Sequence, residues 1–401
     1  LLSTNQKTRR CGDFWGIIKM SLTIIISALN EEQNIEAVLS KLENQVDEKG
    51  NVLDKDKYNV LVVDNGSSDD TAKLVRRFSE QSELHIGMTY EPVQNIITAR
   101  RAGVRELQAN KFYANTRFLA FCDADVSVPG EWISSMMTGF KDRGTGILSY
   151  NGSFPHSFWE KVPRLVEKYV LEVGTLFFPM ETITYYEVHK RDVKFTRQIY
   201  SDFVRPPSGG FYAIRLDHYN SVNGYEREFT DDGKEVDGPT WRLYIKLMGA
   251  GANLKFIPDI EMINSERRLL GAPEKFFRVQ EYDQLSDLRQ DLRERSDSQY
   301  SFVDNLASSI DFTPVQRYVT QYYLLFPCVN RPELIGLNET YFGSLKRAVE
   351  TDILQWRSKN NRARGQDVFR FCDELTDKYS DKLWHEIPTG REEAQPPKSR
   401  K

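Results

Sequence analysis

Asp123-Ala124-Asp125 follows the apolar run 117–122, and Asp64 closes the run 58–63. Two carboxylates one residue apart at the end of an extended segment can share a hard cation. Mg²⁺ and Mn²⁺ take such oxygen ligands, often with substrate phosphates completing the shell. Apolar runs of this length bounded by polar residues read as buried strands. Each carboxylate should therefore emerge at a strand's C-terminal end, where open α/β sheets place their ligands. The residue types point to metal-assisted phosphate chemistry. Asp-x-Asp alone is common on surface loops. Its place after a strand and before Pro129-Gly130-Glu131-Trp132, with Glu31 and Asp64 at the ends of other strands, makes it informative.

The elements that must position these acids alternate from Ser21 onward. Residues 22–29 read as a buried strand, and Asn30 can cap a helix whose first turn holds Glu31 and Glu32 and whose apolar stripe is Ile35, Val38, Leu39, Leu42 and Val46. The unit repeats with a strand at 58–64, a turn at 65–70 and a helix marked by Leu74, Val75 and Phe78. A strand at 85–90, a helix at 96–107, the strand at 117–122, a helix at 132–140 and a strand at 146–150 follow. Strands separated by helix-length segments predict a parallel sheet covered on both faces.

Beyond residue 155 the regularity breaks. A helix is expected at 162–176, then an aromatic stretch (176–180, Tyr185, Tyr186) that reads as core more readily than as an acceptor lining or membrane contact. Residues 208–215 return to a turn and strand, and a charged loop at 226–238 leads into a helix at 240–248. From about residue 275, charge-rich helical periodicity takes over, as at 284–295 and 344–356, and the tail 388–401 lacks apolar anchors. The expected division is a leader at 1–20 that need not be native, Met20 being a candidate start, then a main domain at 21–270, a helical extension at 271–387 and a mobile tail at 388–401. The main domain splits into a nucleotide-binding part at about 21–150 and an acceptor part at about 151–270.

Composition narrows the classes. The chain has 401 residues, 40% of them hydrophobic, enough for a large core, and a formal net charge of −4 gives no cationic field for nucleic acid. Its four cysteines, Cys11, Cys122, Cys328 and Cys372, lack the paired spacings of zinc sites, and Cys122 falls inside an expected strand. A reducing, cytoplasmic setting fits them. No apolar stretch approaches the roughly 20 residues of a membrane span, which leaves peripheral membrane contact open.

The ordered series Ser-Ala-Leu-Asn-Glu-Glu (27–32), Val-Val-Asp-Asn-Gly-Ser-Ser-Asp (62–69), Asn95-Ile-Ile-Thr-Ala-Arg100, Cys-Asp-Ala-Asp (122–125) and Gly209-Gly210-Phe resembles the family 2 glycosyltransferases of the A-type nucleotide-sugar fold, over about residues 21–270. The resemblance implies an α/β, Rossmann-like parallel-sheet nucleotide-diphospho-sugar transferase fold, here with a helical C-terminal extension placed to close over the site or to mediate a homodimer. It implies a nucleotide-diphospho-sugar donor, a divalent cation (Mn²⁺ or Mg²⁺) and inverting transfer to an acceptor hydroxyl on a small molecule, glycan or lipid headgroup. By the same resemblance Ser27, Leu29 and Glu31 lie beside the nucleoside, Asp64 and Asn65 face the base, and Arg100 lies near the donor. Asp123 approaches ribose and metal, and Asp125 is the main metal ligand.

The family's acidic pair before a helix corresponds to Glu235-Val-Asp237-Gly-Pro-Thr-Trp-Arg242-Leu, with the second acid displaced by one residue. Asp237 is the expected general base, then Glu235, with Asp231 and Asp232 as neighbouring competitors. Asn264-Ser265-Glu266-Arg267-Arg268 resembles a Thr-Ser-x-Arg-Arg segment, so Arg267 or Arg268 would meet a diphosphate or an acidic acceptor. Ser27 stands where Pro is usual, Asn65 replaces a frequent Asp, and a metal-binding His found in some members is absent near Ile263-Asn264. Two other readings compete: a non-catalytic binding module on the same fold, and a sugar nucleotidyltransferase. The latter needs a Gly-rich phosphate loop where residues 27–32 stand.

Overall fold

Strand β1 (Ser21–Ala28) runs Ile24-Ile25-Ile26 without a polar break because both of its faces are covered. Ile24 and Ile26 point into one apolar cluster and Ile25 into another. The first cluster takes its helical side from α1 (Ile35–Glu43), α2 (Thr71–Gln81) and α4 (Trp132–Gly139). The second takes its own from α3 (Ile96–Ala109) and α5 (Pro239–Gly249). Helix α3 lies close on the sheet at Gly103, where a Cβ would meet Ile25 Cγ2 at 2.6 Å.

The computed structural model describes residues 21–159, 161, 209–229, 233, 235, 238–271, 311–330, 332, 335, 342–363 and 366–386. The expected leader at 1–20, the helix at 162–176, the aromatic stretch that follows it, the helix at 284–295 and the tail at 388–401 lie outside these residues.

The other strands are β2 (Tyr58–Asp64), β3 (Ile86–Tyr90), β4 (Thr116–Asp123), β5 (Val126–Ser127), β6 (Thr145–Ser153), β7 (Phe211–Arg215) and β8 (Asn253–Asn264). They form one sheet in the order β3-β2-β1-β4-β7-β6-β8-β5. The half β3-β2-β1-β4 is parallel, as the alternation of strands and helices predicts. The other half is mixed: β7 is antiparallel to both β4 and β6, β8 is parallel to β6, and β5 is antiparallel to β8. The expected parallel-sheet α/β fold holds, and the antiparallel pairs are an addition to it. A strand covered on both faces reads as an apolar run whichever way it points, so direction is not in the pattern. Strand β8 goes unanticipated because Pro258 interrupts it. The register passes from Tyr150↔Ile257 to Asn151↔Glu261, and residues 258–260 bulge from the ladder.

The first helix also departs from expectation. It begins at Ile35 after Asn34 and ends at Glu43, so Val46 lies beyond it, in an isolated bridge with Val52. Asn30 has a φ of 54° and caps nothing on that helix. Its side chain instead accepts from the Ser68 amide at 2.8 Å, and its own amide donates to Ser67 Oγ at 3.0 Å, joining the loops after β1 and β2.

Past β8, the short helix α6 (Arg267–Gly271) leads to the helical part. That part includes residues 313–330, in which a π-helical turn (Thr320–Leu325) links two short α-helices, then α7 (Lys346–Lys359) and α8 (Gln366–Glu386). It has its own apolar core, built from residues such as Leu324, Phe326, Ile353, Cys372 and Leu383, and Phe158, Leu269 and Leu270 of the sheet domain enter that core. No helix among the described residues is long and apolar enough to cross a membrane.

Candidate functional site

The parallel registers bring the predicted acids to one edge. Ser27 lies opposite both Val63 and Asp123, Ala28 opposite Asp64, and Asp64 opposite Tyr90. The C-terminal ends of β1, β2 and β4 are therefore level, and the loops leaving them share one rim. Asp64 is buried, and its Oδ1 accepts from the Ser67 amide at 3.0 Å. Asn65 is buried too. Its amide group donates to the carbonyls of Glu91 (3.1 Å) and Val93, tying the loop after β2 to the loop after β3. Ser27 Oγ is shielded from solvent and meets no hydrogen-bond partner among the described residues, and Leu29, two residues on, is half-buried.

Arg100 is the hub on the α3 side. Asn95 caps α3 by accepting from the Ile97 amide at 2.8 Å, which sets the helix start so that Arg100 falls a turn later against β4. The guanidinium is buried and donates to Tyr225 OH and Thr240 Oγ1 (each 2.9 Å), to Asp123 Oδ1 (2.9 Å) and to the Gly209 carbonyl. Burial works against its charge, but Tyr225 and Asp123 outweigh that and hold its pKa above the usual range. Tyr225 in turn shares a hydrogen bond with Tyr212 and one with Thr240. Burial raises the Tyr212 hydroxyl pKa, as it does that of the Cys122 thiol, so both stay protonated at neutral pH.

Gly210 closes this corner. Its carbonyl accepts from the Asp123 amide at 2.8 Å, and a Cβ on it would sit 3.2 Å from Asp123 Oδ2. Glycine allows the close approach of this backbone to the carboxylate.

Asp125 meets a second cation. Arg267, on α6, is buried and its Nη2 lies 2.7 Å from Glu31 Oε1 and 3.2 Å from Asp125 Oδ2. Glu31 also accepts from the Asn34 side chain, and its backbone amide donates to Thr71 Oγ1 at 2.8 Å. Of the Asp-x-Asp pair, the Asp123 side chain is 35% exposed and the Asp125 side chain 16%, so both are reachable from solvent. Among the described residues no three His, Cys, Asp or Glu side chains converge on one point.

The candidate bases fare unequally. Glu235 takes a two-point contact from Arg227 (2.8 and 2.9 Å), and its Oε2 accepts from the Asn95 side chain at 3.1 Å. The pairing raises the Arg227 pKa. Asp231, Asp232 and Asp237 lie outside the described residues, as does the side chain of Arg268, whose backbone belongs to α6. Helix α5 starts at Gly238 (φ 68°) and Pro239 rather than on an acidic cap.

Sequence reasoning missed Tyr212, Tyr225, Thr240 and Arg227. None has a spacing that marks it, since each meets the site only through the antiparallel half of the sheet, the segment between β7 and α5, or α5 itself.

Residues 23–183 match the family model described as glycosyl transferase family 2. Glycosyltransferase AglE of Haloferax volcanii is 28% identical over 135 residues, covering 34% of this chain and 40% of that protein. The putative glycosyltransferase TagX of Staphylococcus aureus is 26% identical over 137 residues, 33% of this chain and 35% of that protein. The chain thus spans about two fifths or less of the length of these curated relatives. Among solved structures, the mannosyltransferase PcManGT from Pyrobaculum calidifontis in complex with GDP-Man and Mn²⁺ aligns with a TM-score of 0.45 at 15% identity, over 92% of this chain and 85% of that one. S. aureus TarS 1-349 aligns with a TM-score of 0.39 at 15% identity, over 86% of this chain and 91% of that one. Over residues 23–183, the chain is similar to glycosyl transferase family 2.

Proposed function

We propose that this chain transfers a sugar from a nucleotide-diphospho-sugar to an acceptor hydroxyl, with inversion at the anomeric carbon and with the help of Mn²⁺ or Mg²⁺. The observation that carries the reading is the level edge at which Glu31, Asp64, Asp123 and Asp125 arrive from the ends of three parallel strands. Ser27, Leu29, Glu31, Asp64 and Asn65 form the nucleoside side of the site, and Arg100 holds Asp123 against its α3 face.

The donor set suits a hard divalent ion. Asp123 and Asp125 are two partly exposed carboxylates one residue apart, an arrangement that takes such an ion together with substrate phosphates rather than in a closed protein cage. When bound, the ion would supply Lewis-acid stabilisation of the departing diphosphate. The chain's own task is to align the acceptor and take its proton. As the acceptor oxygen bonds to the anomeric carbon, its proton passes to the Asp237 carboxylate, and the bond to the diphosphate breaks with its electron pair leaving on the nucleoside diphosphate. Glu235 is the second candidate for this role. Its contacts with Arg227 and Asn95 make it the residue that pins the loop before α5. Arg267 or Arg268 meets the diphosphate or an acidic acceptor. The acceptor is a small molecule, a glycan or a lipid headgroup reached from the membrane surface.

A thermal-shift series with UDP, GDP, CDP and TDP, each with and without Mn²⁺ or Mg²⁺, tests this directly. A ligand confined to the native state adds about 2.7 kcal/mol of stability at a hundredfold excess over Kd. A metal-dependent shift with one base is the expected result. No shift with any of the four sinks the reading.

A further inference from the structure

Arg267 joins parts of the chain far apart in sequence. Its side chain is 3% exposed, and one nitrogen, Nη2, reaches Glu31 from the loop after β1 and Asp125 from the loop after β4. The backbone around it is knitted to the same place. The Ser265 amide donates to the Asp125 carbonyl at 3.2 Å, and Asn264 and Ile263 pair with Val126 and Ser127 of β5. On the other side, Leu269 and Leu270 are buried in the core of the helical part. The guanidinium is held from both directions.

A buried guanidinium is tolerated only when carboxylates compensate it. Glu31 and Asp125 do so here, and the compensation is mutual, because without the cation two acids from separate loops would face each other across a poorly solvated gap. Asp125 is also the carboxylate to which the proposed function assigns the divalent ion. A second cation close to the first is repelled, and the repulsion is strong where solvent is scarce.

We propose that Arg267 is a built-in countercation of the donor site, which neutralises Asp125 and Glu31 in the metal-free chain and which a divalent ion must push away from Asp125, toward Glu31, in order to bind. The proposal rests on the reading of Asp125 as an ion ligand. It makes Arg267 a positioning residue with a definite sign. A mere strut would lower ion affinity when removed, by loosening the loops. A countercation raises ion affinity when removed.

The test is Mn²⁺ binding to the full chain without sugar nucleotide, read from the electron paramagnetic resonance of the free ion. Arg267→Gln should bind Mn²⁺ roughly tenfold tighter or more, while Arg267→Lys, which keeps the charge, should stay near the unsubstituted chain. Glu31→Gln should bind more weakly, since the carboxylate toward which Arg267 would be displaced is gone. Mn²⁺ affinity that is unchanged or lower in folded Arg267→Gln overturns the proposal and leaves the function intact. If Arg267→Gln does not fold, Glu31→Gln decides, and affinity at or above that of the unsubstituted chain overturns the proposal. Absence of Mn²⁺ binding in every form, even with nucleoside diphosphate added, removes the ion from Asp125 and the proposal with it.

Discussion

Arg100 Nη2 stands 2.9 Å from Asp123 Oδ1, with the guanidinium buried and the carboxylate about one third exposed. The pair spans the sheet edge, from helix α3 to the end of β4, and orients the first acid of Asp-x-Asp before any ligand arrives. Phe121 and Tyr225 add their rings, with the guanidinium carbon 5.8 and 5.4 Å from the two centroids.

Arg100→Met should therefore cost on the order of 2 kcal/mol, because it removes the buried cation that Asp123, Tyr225 and Thr240 share, while Asp123 keeps some contact with solvent. Arg100→Lys should recover only part of this, since an ammonium cannot reproduce the planar fork. Urea unfolding of the three forms checks the order. A loss below about 1 kcal/mol for Arg100→Met would mean the pair is solvated.

Asp125→Asn removes one acid of the proposed ion site without removing its bulk. Metal-dependent transfer should fall by roughly 10²-fold or more, with the chain still folded but its melting temperature lowered, since Arg267 loses a compensating carboxylate. Initial rates at saturating Mn²⁺, beside a thermal melt, are the measurement, and an unchanged rate refutes the assignment.

The two acids before α5 should separate in kinetics. Asp237→Asn should lower kcat by roughly 10²- to 10⁴-fold with little change in donor KM, as expected of a base. Glu235→Gln, which loosens the contacts to Arg227 and Asn95, should act on KM and on stability instead. Full transfer activity in Asp237→Asn moves the base elsewhere.

Gly210→Ala places a methyl group 3.2 Å from Asp123 Oδ2. The carboxylate must shift by a few tenths of an ångström, so nucleotide affinity in the presence of Mn²⁺ should weaken more than stability does. Calorimetric titration against a thermal melt distinguishes the two effects. Equal affinity would show that Asp123 has room to move.

In the helical part, Asp352 accepts from Lys378 (2.6 Å) and Tyr379 (2.7 Å), linking α7 to α8. Burial raises its pKa, but these hydrogen bonds and the charge of Lys378 outweigh that and hold it below the ordinary 3.8. A depressed folded-state pKa stabilises above the unfolded value and is lost as the pH falls through the folded one. Asp352→Asn should therefore lower stability at pH 7 by no more than about 1 kcal/mol, given the solvent around it, and the difference should shrink below pH 3.8. Melts of both forms at neutral and acid pH show whether the gap closes.

By itself, the sequence determined the parallel half of the sheet and the acids at its edge. The runs at β1, β2 and β4 are apolar because both faces are covered, and β2 and β4 close on Asp64 and Asp123. That is local information, and Asp64, Asp123 and Asp125 are legible from it. The Asn30 cap was misread because a residue suited to capping is equally suited to a left-handed turn, and only the loop after β2 decides between them. Tertiary structure alone decided the rest. The antiparallel β7, the interrupted β8 and the pairing of Arg267 with Glu31, 236 residues away, depend on which segments meet in space, and the residue types within each segment do not carry that. A buried arginine looks like a surface one in sequence, and only the carboxylates facing it, brought in by distant strands, make its burial tolerable.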